Sequence, residues 1–450
     1  PRAHPSAPSA CALPSPPGAI ESFASLPKRM HALGAVLLLS PLTLALRLMP
    51  PAMAIDTATL PAPLRATDGG FTQDTVSRRL PLIVKSVVEN NPAYGAELAA
   101  ALHALADEVA AGEPLKPLAG DVPDGLSGWS ATLAPFISCG ATWMDAPWFV
   151  VENYLYKRIL ELTNEPTGGS DPFASQKKQS LLDADDAFAK MVSSGLTETD
   201  DLASLVTTSL WGNVADLSLS AGAALTAAIG EAEGAGASRM LADDTAELCD
   251  ALRTCTGKEV IIILDNCGLE LVADLLLVDG LLRLVGPSCV SLHVKDTPVF
   301  VSDVCPHDVM PTLEWIDANG GGPMASRLRN ALSTGNLKLV EHPFYTSAHP
   351  FWDMPADLRS KYASAGAVLL KGDANYRRLL GDLHWPHDMP FANLLEQYWP
   401  DSTPVAALRT CKSGVLVGVK PAIEDAAKTA EPNRWLTGGV FGLISLAPAT

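Results

Sequence analysis

Two patterns of apolar and polar residues succeed each other along the chain. Between about Thr75 and Gly230 the apolar positions recur at helical spacing. In "DTVSRRLPLIVKSVVENN" they fall at 76, 80, 83, 84 and 87, one face of a helix. "YGAELAAALHALADEVAAG" is rich in the strong helix formers Ala and Leu. "PWFVVENYLYKRILELT" opens with Pro147, which suits a first helical turn. The stretches 182–195 and 199–211 continue the theme.

After about residue 255 short apolar runs alternate with helical stretches. "KEVIIIL", "CVSLHVK", "LKLVEHPF", "AVLLKGD", "PVAALRTCK" and "GVLVGVK" read as strands. "LELVADLLLVDGLLRL", "SRLRNALSTG" and "NYRRLLGDL" read as helices. This order predicts an α/β fold, with a mainly parallel central sheet flanked by helices. An all-helical N-terminal subdomain over 69–240 would precede the α/β domain over 241–450.

Residues 1–68 fit neither pattern. The first part is rich in Pro, Ala and Ser, and "KRMHALGAVLLLSPLTLALRLMPPAMA" has a basic start, an apolar run and an A-x-A end. That is the grammar of a signal or transit segment, and a non-native extension is the competing reading. Pro41 and Arg47 make the run a poor membrane span. The segment is therefore expected to lie outside the fold.

Composition narrows the function. With 48% hydrophobic residues the chain can bury a large core. A net charge of −18 argues against a nucleic-acid partner, which needs a basic surface. The eight cysteines form no C-x-x-C pair, so they read as reduced thiols, and a structural zinc site is not expected. There is no G-x-G-x-x-G, P-loop or G-x-S-x-G motif.

The candidate chemistry sits just past the expected strand ends. The first long strand stops at Asp265-Asn266, with Glu270 close behind. "HVKDTPVFVSDVCPHD" brings Lys295, Asp296, Asp303 and Asp308, with His307 the histidine nearest this acidic group. "LLKGDANYRR" brings Lys371, Asp373, Asn375 and Arg377, and "LRTCK" brings Arg409 and Lys412. In an open α/β sheet such loops meet at one crevice. Taken singly, each has a bland reading. Asp-Asn after a strand is a common turn and cap, and Lys-Gly-Asp is a common loop. Together they form a set of hard oxygen ligands beside cations. That set suits a divalent ion such as Mg²⁺ or Mn²⁺ and a phosphate-bearing substrate.

The same segments resemble a known family. "LDNCGLELVADLLL", "HVKDTPVFVSDVCPHD", "HPFW", "LLKGDANYRRLLGD" and "LRTCK" resemble the metal-dependent damage-control phosphatases. The last of them is similar to the Arg-Thr-x-Lys signature of that family's third subfamily. "APWFVVENYLYKRI" and "SLWGNVADLSLSAG" resemble its helical N-terminal region, and the similarity runs over roughly residues 70–448.

The resemblance implies hydrolysis of small phosphorylated metabolites, especially sugar phosphates such as fructose 1-phosphate and fructose 6-phosphate. It implies Mn²⁺, Co²⁺ or Ni²⁺ as cofactor, with Mg²⁺ a weaker option. It places Asp265, Asn266 and Asp303 as metal ligands, with Asp265 and Asp303 as the catalytic aspartates. Glu270, Gly372, Asp373, Asn375, Tyr376 and Lys412 fall at its substrate positions. Asn213 and Glu152 are further candidates to close the site from the helical part. Attack by water and attack by an aspartate both remain open. The family is mostly cytosolic or nuclear, which implies a cytoplasmic chain, while the signal- or transit-like N-terminal segment leaves organelle targeting open; the oligomeric state is open too. Two other functions compete: an S-adenosylmethionine-dependent carboxyl methyltransferase and a non-catalytic sugar-phosphate-binding protein. The first lacks support in "DNCGLE", which has a single Gly where a methyltransferase loop would be Gly-rich.

Overall fold

The computed structural model describes residues 55, 57–120, 122–212 and 239–450. Asn213 and the signal-like stretch through Ala54 lie outside the described residues. The helical part comprises α1 (Leu80–Asn90), α2 (Ala96–Ala111), α3 (Trp129–Ser138), α4 (Trp148–Thr167), α5 (Ala174–Leu182), α6 (Asp185–Ser193) and α7 (Leu202–Trp211). The second part begins with β1 (Met240–Asp243), α8 (Thr245–Arg253), β2 (Glu259–Ile263), α9 (Leu269–Leu284), β3 (Cys289–Val294), α10 (Pro306–Ile316), α11 (Gly322–Thr334) and β4 (Leu337–Glu341). It continues with α12 (Ala356–Ala363), β5 (Ala367–Lys371), α13 (Gly372–Leu380), α14 (Phe391–Leu395), β6 (Val405–Thr410), α15 (Pro421–Ala430) and β7 (Gly442–Ala447).

The seven strands form one sheet in the order β1-β7-β6-β5-β2-β3-β4. The five from β6 to β4 are mutually parallel, and β7 runs antiparallel to β6. This is the α/β fold with a mainly parallel sheet. Its central strands are apolar on both faces because helices cover both. Ile261, Ile263, Val368 and Leu370 pack with α1–α4, while Val260, Ile262, Leu292 and Leu369 pack with α6, α7, α9 and α10. The helical part thus contributes to both cores.

Three expectations need correction. "GVLVGVK" is not a strand. Val415, Leu416, Val417 and Val419 are buried, but Gly418 turns at φ 79° and its N–H goes to the Met389 carbonyl. An apolar run reports burial, not pairing. The place beside β6 belongs to β7, formed by "GLISLA". The packed chain also begins before residue 69. Leu64 and Ala66 are buried, and Pro63 bridges to Leu383. Six cysteines are buried free thiols, but Cys139, the one described cysteine at the surface, is disulfide-bonded.

Among the described residues no helix is long and apolar enough to cross a membrane.

Candidate functional site

The C-terminal ends of β2, β3, β5 and β6 bring the candidate residues to one edge of the sheet. Past β2 the chain continues beside the segment that returns after β3. Asn266 bridges antiparallel to Asp303, the Val304 N–H donates to the Asp265 carbonyl (2.8 Å), and the Cys267 N–H donates to the Ser302 carbonyl (2.7 Å). This short pairing sets Asp265, Asn266 and Asp303 side by side although the first and last are 38 positions apart. The turn that presents Asp303 is strained. Phe300 and Val301 stand at φ 52° and 70°, a region a β-branched residue rarely enters, costing on the order of 1–3 kcal/mol each.

The acidic group has too few donors. Asp265, Glu270 and Asp303 are 4%, 2% and 1% exposed. Asp265 Oδ1 and Asp303 Oδ1 have no hydrogen-bond partner. Asp303 Oδ2 lies 3.1 Å from Lys295 Nζ, but the angles do not make a hydrogen bond. Burial, then the neighbouring Asp303 and Glu270 charges, hold the Asp265 carboxyl well above its ordinary range. Burial pushes Asp303 up to about 6. Orphaned buried acceptors are costly. A divalent cation would satisfy the oxygens that Lys295 leaves without a hydrogen bond, and the donors present, two carboxylates and a carboxamide, suit a hard ion.

Glu270 does not face an opening. Its Oε2 accepts from Asn266 Nδ2 (2.9 Å), which also donates to Asp265 Oδ2 (2.8 Å). Both amide hydrogens of Asn266 are thereby directed away, and its Oδ1 is left as the acceptor face, receiving one bond from Ser302 Oγ (2.6 Å). Glu270 orients a candidate ligand.

The loops after β5 and β6 are tied together behind this group. Gly372 passes so close that a Cβ would stand 1.8 Å from Asp265 Oδ2, and its φ of 78° also demands glycine. Asp373 Oδ1 accepts from Arg409 Nε (2.7 Å), the Lys412 N–H (3.0 Å) and Ser413 Oγ (3.1 Å). Burial would raise the Asp373 pKa, but the Arg409 and Arg377 charges outweigh it and hold the group low. Arg409 also stacks 4.3 Å from the Tyr376 ring centre, and Tyr376 is fully buried, its hydroxyl accepting from the Val417 N–H. Asn375 spends its amide on the Leu264 and Lys371 carbonyls (3.0 and 2.8 Å). Asp373, Asn375 and Tyr376 therefore frame the loop, while Gly372 and Lys412 stand at the acidic group, whose Asp265 feels the Lys412 charge.

Lys295 and Lys371, offered by the sequence only as cations among the candidate loops, acquire defined partners in three dimensions. Lys295 Nζ donates to the Leu264 carbonyl (2.8 Å), and Lys371 Nζ lies 3.5 Å from Glu270 and 3.2 Å from Asp274. The sole cue in sequence is their place at strand ends. Glu152, on α4, pairs with the buried Arg377 and so links the helical part to α13.

A second group offers metal-ligating atoms. Cys305, His307 and Asp308 hold theirs within 4.8 Å of one another. Here a cation is already in place: Lys177 Nζ pairs with Asp171 (2.8 Å) and Asp308 (2.9 Å). Burial pushes the Cys305 thiol up to about 12, so it is no ready thiolate.

A parallel sheet whose edge gathers hard oxygen ligands and buried lysines is the frame of an enzyme that works on anionic groups. The chain belongs to the damage-control phosphatases: the profile "Damage-control phosphatase ARMT1-like domain" matches residues 75–426. Relatives named damage-control phosphatase ARMT1 include those of Danio rerio (29% identical; 84% of this chain and 95% of the relative) and Xenopus tropicalis (30%; 84% and 97%). The Homo sapiens relative is 28% identical over 85% of this chain and 98% of its own. A solved DUF89 family protein of Pyrococcus horikoshii is a more distant likeness, with TM-score 0.46 and 13% identity over 82% of this chain and 96% of that one. The family is one of metal-dependent phosphatases.

Proposed function

We propose that the chain hydrolyses small phosphorylated metabolites, with sugar phosphates such as fructose 1-phosphate or fructose 6-phosphate as the substrate class. Asp265, Asn266 and Asp303 would hold one divalent ion, Mn²⁺ first, with Co²⁺, Ni²⁺ and Mg²⁺ as alternatives. The observation that carries this reading is the pair of orphaned carboxylate oxygens on Asp265 and Asp303, buried side by side at the sheet edge. When bound, such an ion would polarise a phosphoryl oxygen, with attack by water or by an aspartate both open.

The remaining work falls to the chain. The N-terminus of α13 offers backbone N–H groups to phosphoryl oxygens, as helix starts do for anions. Lys412 adds a positive charge beside them and neutralises charge developing in the transition state. Its backbone is held by Asp373, which Arg409 in turn holds. Burial of the carboxylates keeps bulk water away and strengthens each charge interaction. A carboxylate nucleophile would leave a phospho-enzyme; trapping one would exclude direct attack by water.

The test incubates the purified chain with Mn²⁺ and a panel of sugar phosphates, measures phosphate release, and uses Asp265→Ala as control. Release by the wild type that disappears in the variant is expected. No release across the panel would sink the function, and release that survives Asp265→Ala would sink the site.

A further inference from the structure

Behind the acidic group lies a second, fully buried polar set that the reaction above does not use. Lys371 is 0% exposed at the end of β5. Its Nζ donates to the Ser209 carbonyl on α7 and lies 3.2 Å from Asp274 and 3.5 Å from Glu270, both on α9. Ser209 Oγ donates to Asp274 Oδ1 (2.6 Å). At the C-terminal end of α7 a Cβ on Gly212 would come within 3.0 Å of the Glu270 Cα, so helix and acid are in close packing. One lysine thus ties α7 of the helical part to the carboxylate that orients Asn266.

We propose that Lys371 is a positioning residue through which the docking of α7 sets the affinity of the metal centre. This rests on the metal reading given above. Ser209 and Asp274 fix the ammonium, the ammonium fixes Glu270, and Glu270 holds the Asn266 amide so that its Oδ1 faces the ion. Removing it leaves Glu270 and Asp274 facing each other without a counter-charge, and Glu270 loses its fixed geometry. Supports of this kind behind a ligand change metal affinity by about 10–100-fold when lost.

The experiment titrates Mn²⁺ into the full, metal-stripped chain by calorimetry, with the Mn²⁺-induced rise in Tm as a second readout. Lys371→Met should weaken Kd by about 10–100-fold and shrink the rise in Tm. Lys371→Arg should recover part of both, and Ser209→Ala should shift Kd the same way by less. A merely structural lysine would lower Tm equally with and without Mn²⁺ and leave Kd alone. Binding that is lost in Asp265→Asn but unchanged in a folded Lys371→Met overturns the relay and spares the metal site. Absence of Mn²⁺ binding by the wild type overturns both. Should Lys371→Met not fold, unchanged Kd values in Ser209→Ala and Asp274→Asn overturn the relay.

Discussion

Two acidic clusters lie almost next to each other on the chain, and they resolve their charge in opposite ways. At Asp303 the carboxylates of Asp265, Glu270 and Asp303 crowd together, and although Lys295 stands beside Asp303 and Lys371 beside Glu270, Asp265 Oδ1 and both Asp303 oxygens have no hydrogen-bond donor. Two residues on, Cys305, His307 and Asp308 supply a more conventional set of metal ligands, yet Lys177 sits between Asp171 and Asp308 and completes it. Counting ligand types would favour the second cluster, with its thiol and imidazole. The state of the acceptors favours the first. Acceptors already paired gain little from a metal, whereas orphaned ones recover a desolvation cost.

The sharpest way to break this contrast is to remove one member of each cluster. Asp265→Ala deletes an orphaned ligand. Metal stabilisation of the transition state amounts to several kcal/mol, which at about 1.4 kcal/mol per tenfold predicts a loss of about 10³-fold in kcat/KM. Lys177→Met deletes the cation of the paired cluster and should act on stability. Lys177 and Asp171 are each 4% exposed, and breaking such a buried pair costs about 3–5 kcal/mol. Urea unfolding should show that loss, while Mn²⁺ affinity should hold. A Lys177→Met chain that keeps its stability but loses Mn²⁺ would reverse the assignment of the two clusters.

The contrast was only half legible in the sequence. The strand before Asp265 and the helix "LELVADLLLVDGLLRL" were readable because both are long, apolar and bounded by polar turns. The helix over Pro306–Ile316 goes unassigned, because Pro311 inside it and the polar residues at its start break the apolar pattern. Asp-Asn alone could not be told from a turn; what separates the two is the bridge to Asp303, a tertiary event. Glu270 reads as a first-turn acid and Lys371 as part of a loop tripeptide. Their roles depend on α7 and α9 closing over them, which no local pattern records. "GVLVGVK" failed for the converse reason, since its apolar side chains found burial without a strand partner.

A pH titration sharpens the comparison more gently. Burial pushes Asp274, an acid beside the orphaned cluster with its Oδ2 unpartnered, up to about 7. A carboxyl raised in the folded state binds its proton more tightly there than in the unfolded chain. Between its unfolded pKa near 4 and about 7, the folded protein therefore holds the extra proton. The stability of the metal-free chain should fall across that window as pH rises. At about 1.4 kcal/mol per pH unit the expected change is on the order of 4 kcal/mol, spread over the window. Asp274→Asn should reduce it, the raised Asp265 and Asp303 acting in the same direction. Thermal unfolding of the metal-stripped chain at several pH values checks this. A profile that rises through the window, or one that Asp274→Asn leaves unchanged, would place the dependence elsewhere.

The smallest expected effect tests the paired cluster at its most exposed member. His307 is 55% exposed, 3.2 Å from Asp171 and 3.7 Å from Asp308, both of which already face Lys177. As a metal ligand it would be needed for activity, and its loss would cost about as much as that of Asp265. As a side chain resting on a satisfied ion pair, it contributes only a screened surface contact, in the range of about 0–1 kcal/mol. His307→Ala should therefore leave kcat/KM within about twofold and stability within about 0.5 kcal/mol of the wild type. Activity and urea unfolding measured on one preparation, beside Asp265→Ala, place the two clusters on a common scale. A loss in His307→Ala approaching that of Asp265→Ala would mean that the metal chose the paired cluster and displaced Lys177 to enter it.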